Sequence, residues 1–493
     1  MRPSFLLARP WVTPALLGLA VAAPGSTPLA AAPPPFQRPP SLQQLADRYW
    51  SQDSARFPAR AVAFTTDCGP ATLEDLSPAA NRKWQDDLNG LLKDVRRIPA
   101  GTLNAADRLT LELLERSIRD EILRSSLPMA LVPLTPFSGP LVDLRTFTRQ
   151  PNCDDQFISR LKYFPKQIAD LESNLHAAAR SGYVLPCLLV EKVLPQIDMN
   201  KDGEQIITKL RTIPFSGDRS QPVLESAESP LTRAVSLYVE PGLRSLHAYL
   251  LDEYMPLCRS SIGLGALPGG NEIYTAALRL HATIPVLPEG AHELGLTEVK
   301  RLRDLIEEEK ISSRISPLDW DEFQKKRNFI GTFTFSSDTP AFRRQAGITY
   351  PYWFHWYICD YLPLHQNKLP TAIGNCSILM DHYSAALLVV DTGIHAKGWS
   401  YDQAVAYLKN NTSRTDREIE SDVIRCVSLP GEAAGAEIGR QLFNALRREA
   451  EEKLGDRFDV RAFYETLLSE GPMPLDLLES RMRAWIESRG KSP

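Results

Sequence analysis

The chain has 493 residues, 43% hydrophobic and 24% charged, with 56 lysines and arginines against 60 aspartates and glutamates and a net charge of −4. That length accommodates about three average domains or one large one, and the near-balanced charge argues against a nucleic-acid binder, which needs a clustered cationic excess. No apolar run of about 18 residues reads as a membrane-spanning helix.

The N-terminus has the grammar of a secretory leader. Arg2 and Arg9 precede an apolar stretch over residues 12–23, and small residues repeat as Ala20-Val21-Ala22 and Ala30-Ala31-Ala32. A charged start, a short apolar middle and an A-x-A site predict a signal peptide over residues 1–32. The proline-rich stretch 33–40 reads as a stiff spacer, and residues 41–490 as a single helical domain. The expected location is periplasmic or extracellular, and no cysteine near the cleavage positions suggests a lipid anchor. Seven cysteines (Cys68, Cys153, Cys187, Cys258, Cys359, Cys376, Cys426) show no C-x-x-C spacing. Most are expected to be buried free thiols, and the odd count leaves at least one unpaired.

In chain order, Asn104-Ala105-Ala106-Asp107 opens a predicted helix over 108–123, with Leu109, Leu113, Ile118 and Ile122 at helical spacing. Residues 130–133 could form a strand. A single helix is predicted over 156–180, carrying Leu161, Phe164, Ile168, Leu171 and Leu175, and another over 297–309 with Val299, Leu302 and Ile306. Residues 329–335 are the other strand candidate. Ser400 with Gln403 and Thr415 with Glu418 have capping-box spacing. A long helix should follow Pro430-Gly431, bury Ile438, Leu442, Ala445 and Leu446, and stop near Gly455 in an αL cap. Helices over 460–469 and 474–488 finish a fold that is mostly α, with at most a small sheet.

Residue types offer little chemistry on their own. A zincin needs H-E-x-x-H, two imidazoles one helical turn apart; His292-Glu293 is followed by Leu296 at the fifth position, so the second ligand is absent and His292 reads as a residue near the start of a helix. Asp391 and His395, four apart, share a helix face, where they could ligate together or close the helix end structurally. His355, His365 and His382 match no ligand template. The aromatic stretch 350–357 could stack on a ligand or form core. No G-x-S-x-G elbow, P-loop or dinucleotide fingerprint occurs.

Larger blocks carry more. The run 387–399, Leu-Leu-Val-Val-Asp-Thr-Gly-Ile-His-Ala-Lys-Gly-Trp, resembles a signature of the bacterial domain-of-unknown-function 885 family. Residues 73–78, 107–110, 274–299, 455–459 and 473–475 are similar to its other blocks. The resemblance implies an exported helical fold of the zinc-metallopeptidase type, with an H-E-x-x-P-G-H site ahead of the Pro-Ala-Phe-Arg-Arg run at 340–344. This chain has Arg327-Asn328-Phe329-Ile330-Gly331-Thr332 there, so Arg327 and Asn328 replace the His-Glu pair and Thr332 the second His. An aromatic, Trp353 or Phe354, replaces the glutamate of a downstream E-G-W. A segment of the family pattern is missing between about 315 and 327. The family's P-G-Q-A-x-x-Y-K reads Pro430-Gly431-Glu432-Ala433-Ala434-Gly435-Ala436-Glu437, with Ala436 for tyrosine and Glu437 for lysine.

A guanidinium has no lone pair for a metal, and without a bound cation no water is activated by the family's route. The expectation is an exported non-catalytic protein with no zinc, no other cofactor and no nucleic-acid partner, retaining a groove for a peptide, small molecule or protein partner. Asp391 and His395 would be scaffold, the carboxylate orienting or charging the imidazole at the floor of the old cleft. One alternative is a zinc-dependent hydrolase with ligands relocated among His355, Asp360, His382, Asp391 and His395; another is a truncated, poorly folding product. The sequence indicates no oligomeric state.

Overall fold

The computed structural model describes residues 40–62, 68–147, 153–199, 229–308, 342–343, 370–471 and 473–491. The first helices are α1 (Pro40–Arg56), α2 (Pro58–Val62), α3 (Pro78–Val95) and α4 (Ala105–Ser126). Leu42, Ala46 and Tyr49 fall on one face of α1 and are buried, as are Trp84, Leu88, Leu91 and Val95 on α3. The Ser77 hydroxyl caps α3 by accepting from the Ala80 N–H, and Asn104 caps α4 by accepting from Asp107. The segment expected as a strand at 130–133 overlaps a 3-10 turn at Pro128–Leu131 instead.

Next come α5 (Pro140–Phe147), α6 (Asp154–Leu161), α7 (Phe164–Arg180) and α8 (Cys187–Ile197). The single helix expected over 156–180 is thus two, broken at Lys162 and Tyr163. Pro165 stands in the first turn of α7, where its missing N–H is no loss; inside a continuous helix it would remove the bond to Leu161 and clash with that carbonyl. A long run then combines α9 (Pro230–Ala234), a π segment at Val235–Val239, α10 (Glu240–Ala248) and a second π segment at Tyr249–Tyr254. Each wide turn lies just ahead of a proline, Pro241 or Pro256, which breaks the regular ladder.

The remaining described helices are α11 (Gly270–Ala282), α12 (Pro288–Glu308), α13 (Pro370–His395), α14 (Tyr401–Asn411), α15 (Asp416–Ser428), α16 (Glu432–Leu454), α17 (Val460–Leu468) and α18 (Leu475–Lys491). Both capping boxes form, at Ser400 with Gln403 and at Thr415 with Glu418. α12 starts nine residues earlier than expected and makes its most extensive contact with α13. α16 buries Ile438 and Leu446 and half-buries Leu442, but Ala445 is exposed, and Phe443 and Ala450 complete the covered face. Gly455 ends α16 at φ +53°, ψ −130°, outside the αL well that was expected.

Among the described residues there is no strand, only isolated bridges at Thr135–Ser138 and Pro186–Arg259, and the fold is a single helical domain. The 329–335 strand candidate lies outside them. Among the described residues three apolar clusters fill the domain. One joins α1, α3, α4, α11, α16 and α18; a second runs from Val62 to Tyr254; a third packs α12 and α13 against α14 and α15. Each fully buried leucine among them contributes roughly 2 kcal/mol. The expectation of mostly free thiols is overturned: Cys68 pairs with Cys153 and Cys187 with Cys258, while Cys426 is free and buried. These pairs link positions 85 and 71 residues apart, and no local spacing signals a contact of that range.

Candidate functional site

Leu388, Val389 and Val390 on α13 are all fully buried, and residues 388–395 are enclosed on every side, so Asp391, Thr392 and His395 are carried into the interior. Burial of polar groups at that depth is tolerated only with bonding partners. Asp391 has them: the Tyr274 hydroxyl donates to Oδ1 at 2.8 Å, and the Gly431 N–H reaches Oδ1 at 3.1 Å and Oδ2 at 3.0 Å. Gly431 is the N-cap of α16 at φ +85°, and a Cβ there would stand 3.0 Å from the Ala277 carbonyl group. The carboxylate therefore sits at the positive end of α16. Burial pushes Asp391 up to about 7, against the opposing bonds from Tyr274 and Gly431.

His395 is engaged through both ring nitrogens. Nδ1 accepts the Leu264 N–H at 3.1 Å, so the proton resides on Nε2, which donates to the Cys426 carbonyl at 3.0 Å. Burial holds the imidazole down at about 4, so it is neutral at physiological pH. The chain approaches so closely here that a Cβ at Gly263 would lie 1.9 Å from the Ile394 carbonyl oxygen. The expected role of Asp391, orienting or charging His395, is not what the geometry gives. The two share a helix face but no hydrogen bond; the Tyr274 ring stacks on His395 at 5.1 Å while its hydroxyl serves Asp391. Next to them Thr392 shares a 2.7 Å bond with His292 Nδ1, and Trp399 meets the His292 ring edge-on. His292, fifth in α12, is thus a buried link to α13. The signature run 387–399 is a packing hub.

Two further polar clusters were missed in the sequence. Arg440 on α16 donates to Glu437 (Nε to Oε2, 2.9 Å), to Asp381 on α13 and to Glu298 on α12, the last two at 3.0 Å. Glu437, where the resemblance implies a lysine, is fully buried, and burial raises it while Arg440 opposes. In the N-terminal half, buried Asp53 pairs with Arg60, whose guanidinium also reaches Glu121 at 3.1 Å and lies 3.9 Å over the Phe57 ring. Nearby, burial pushes Glu74 up to about 7, and burial with the Glu74 charge pushes Asp143 to about 8. Asp53 extends the apolar 42/46/49 stripe by one step, and a carboxylate there was the available signal.

Between α4 and α11 lies an open recess of about 380 Å³, lined by Leu123, Asn271, Glu272, Thr275, Ala276 and Arg279. The Thr275 hydroxyl donates to the Asn271 carbonyl at 2.7 Å; the side chains of Asn271, Glu272 and Arg279 bond to no described residue.

Of the residues weighed as relocated ligands, Asp391 and His395 do not fit a metal: the imidazole has no unused nitrogen, and the carboxylate already accepts an O–H and a backbone N–H. His382 on α13 is half-buried, with Nε2 enclosed and unbonded and its basicity depressed by burial. His355, Asp360, the 350–357 aromatics and the run from Arg327 to Thr332 lie outside the described residues. Among the described residues no group of three or more His, Cys, Asp or Glu side chains is arranged to hold a metal, and no helix is long and apolar enough to cross a membrane.

The family model described as "Bacterial protein of unknown function (DUF885)" matches residues 58–345 and 377–482, most of the chain. The chain belongs to the DUF885 family. The interruption, 346–376, contains His355 and the aromatics that stand where the resemblance calls for E-G-W. This DUF885 protein is also similar to two solved structures. A candidate lipoprotein of Colwellia psychrerythraea superposes with a TM-score of 0.72 at 17% identity, over 91% of this chain and 100% of that one. A candidate lipoprotein of unknown function from Shewanella oneidensis does so with a TM-score of 0.60 at 11% identity, over 90% and 99%. At such identities the likeness is one of fold. Among curated proteins no match reaches significance.

Proposed function

We propose that this DUF885 protein is exported and non-catalytic, and that it binds short peptides on a metallopeptidase-like scaffold. The observation that carries the non-catalytic part is the internal engagement of Asp391 and His395. They are the polar pair of the best-preserved block, and their bonds to Leu264, Tyr274, Cys426 and Gly431 leave nothing to offer a substrate or a metal. Arg327, Asn328 and Thr332 at the H-E-x-x-P-G-H positions point the same way. Export is supported by the leader grammar of residues 1–32 and by two disulfides, which persist in oxidising compartments.

The test is purification of the mature chain from an exporting host. Intact mass should place its N-terminus near residue 33, elemental analysis should find no stoichiometric zinc, and a peptide library should be bound without cleavage. One zinc per chain with chelator-sensitive cleavage overturns the reading in favour of ligands among His355, Asp360 and His382.

A further inference from the structure

Several guanidiniums among the described residues are matched by carboxylates of the chain itself. Arg440 meets three of them and Arg60 two, and Arg116 on α4 binds Asp120 through Nε at 3.0 and 2.9 Å and Asp476 through Nη1 at 2.9 Å. Arg279 differs. It lines the recess between α4 and α11, is only half-buried, and bonds to no described residue. Asp120, which feels the Arg279 charge, is already held by Arg116.

The opposite charge stands at the far end of the same recess. Glu272 is exposed and bonds to no described residue, and it precedes Arg279 by seven positions on α11. Seven residues of α-helix advance about 10 Å, which about three residues of extended chain also cover. Between the two charges on α11 lie Thr275 and Ala276, Leu123 adds to the apolar wall, and Asn271, whose carboxamide offers both a donor and acceptors, stands at the Glu272 end. A volume of about 380 Å³ is at the small end of ligand sites.

We infer that this recess binds a peptide of about three residues with free termini, its terminal carboxylate on Arg279 and its terminal ammonium toward Glu272. The inference rests on the peptide-binding reading above and gives it a location. The fork of the guanidinium matches a carboxylate with two parallel bonds, Asn271 takes the backbone of the residue at the ammonium end, and an apolar central side chain rests on Leu123 and Ala276.

Titration calorimetry of the whole mature chain with Ala-Leu-Ala tests it, alongside the C-terminal amide and the N-acetyl form. Arg279→Gln and amidation should each weaken binding roughly tenfold. Together they should cost little more than either alone, because both remove the same contact. Glu272→Gln and acetylation should be paired in the same way, with smaller losses. Arg279→Lys should fall between wild type and Arg279→Gln, and all variants should melt like wild type because neither side chain is bonded to a described residue. Equal binding of tripeptide by Arg279→Gln, or additive losses from Arg279→Gln and amidation, overturns the recess while peptide binding by the scaffold stands. Failure of wild type to bind both tripeptides and longer library peptides overturns both.

Discussion

Asp391 and His395 stand one helical turn apart on α13, and the side chain of Tyr274 serves both, its hydroxyl on the carboxylate and its ring against the imidazole. Each of the pair then reaches a different segment, Asp391 the Gly431 turn and His395 the backbone of Leu264 and Cys426. The run 387–399 thus holds α11, α13, α15 and α16 in register.

Asp391 should make stability depend on pH in a defined direction. Its folded-state value of about 7 lies above the value near 4 of an unfolded aspartate, so the unfolded chain ionises first as pH rises. Its contribution is fully present below about pH 4, is lost as pH rises to about 7, and is constant above. Urea unfolding of wild type and Asp391→Asn should show the wild type's relative stability falling across that window by more than about 1 kcal/mol. A gap that is flat with pH contradicts the assignment.

His395 acts with the opposite sign. Held near 4 against about 6.5 unfolded, it contributes stability above about pH 6.5 that is lost as pH falls toward 4. Nitrogen-15 spectra should show the Nε2–H tautomer and no protonation of Nδ1 above about pH 5. His395→Ala leaves the Leu264 N–H and Cys426 carbonyl unsatisfied in the interior, at a cost of about 2–4 kcal/mol, with no change in metal content. A protonated ring at pH 6 would be incompatible with the two bonds described.

Restoring the family's lysine should be harmful here. Glu437→Lys places an ammonium beside Arg440 in a fully buried position, and breaking a buried pair costs about 3–5 kcal/mol. Adding Arg440→Gln should recover part of the loss by removing the like charge. The check is a thermal melt of the single and double variants; a single variant as stable as wild type would mean the cluster is not closed as described.

Cys68, Cys153, Cys187 and Cys258 should resist alkylation until reductant is added, and Cys426 until the chain is unfolded. Replacing Cys187 and Cys258 together by Ser should lower stability by about 2–5 kcal/mol. The pair stands beside the Pro186–Arg259 bridge, four residues before Gly263, so the variant should also speed hydrogen exchange at the Leu264 amide. Unchanged exchange there would decouple the disulfide from the hub.

What could be read from the sequence follows range of interaction. The caps at Ser400 and Thr415 and the span of α16 depend on residues within one turn of each other, and they form as expected. The break at Lys162 and Tyr163 was also local, and Pro165 was its signal. That Asp391 and His395 share a face follows from spacing alone. That Tyr274 serves both depends on a residue 117 positions from Asp391, and no helical period reports on it. Glu437 opposite Arg440 could have been suspected from i,i+3 spacing; Glu298, 142 positions from Arg440, could not.

The first apolar cluster draws Leu42 from the first described helix together with Met482 and Ile486 from the last. The second, from Val62 to Tyr254, is complete with both disulfides by Cys258. A ribosome delivers the chain from its N-terminus, so the second cluster can condense while the final third is still being made. α1 can pack early on α3 and α4, but the face of α16 that α18 covers has to wait until the last helix emerges. Misassembly during synthesis therefore concentrates on α16, and a chain that stops before residue 475 keeps one finished core beside one that cannot close.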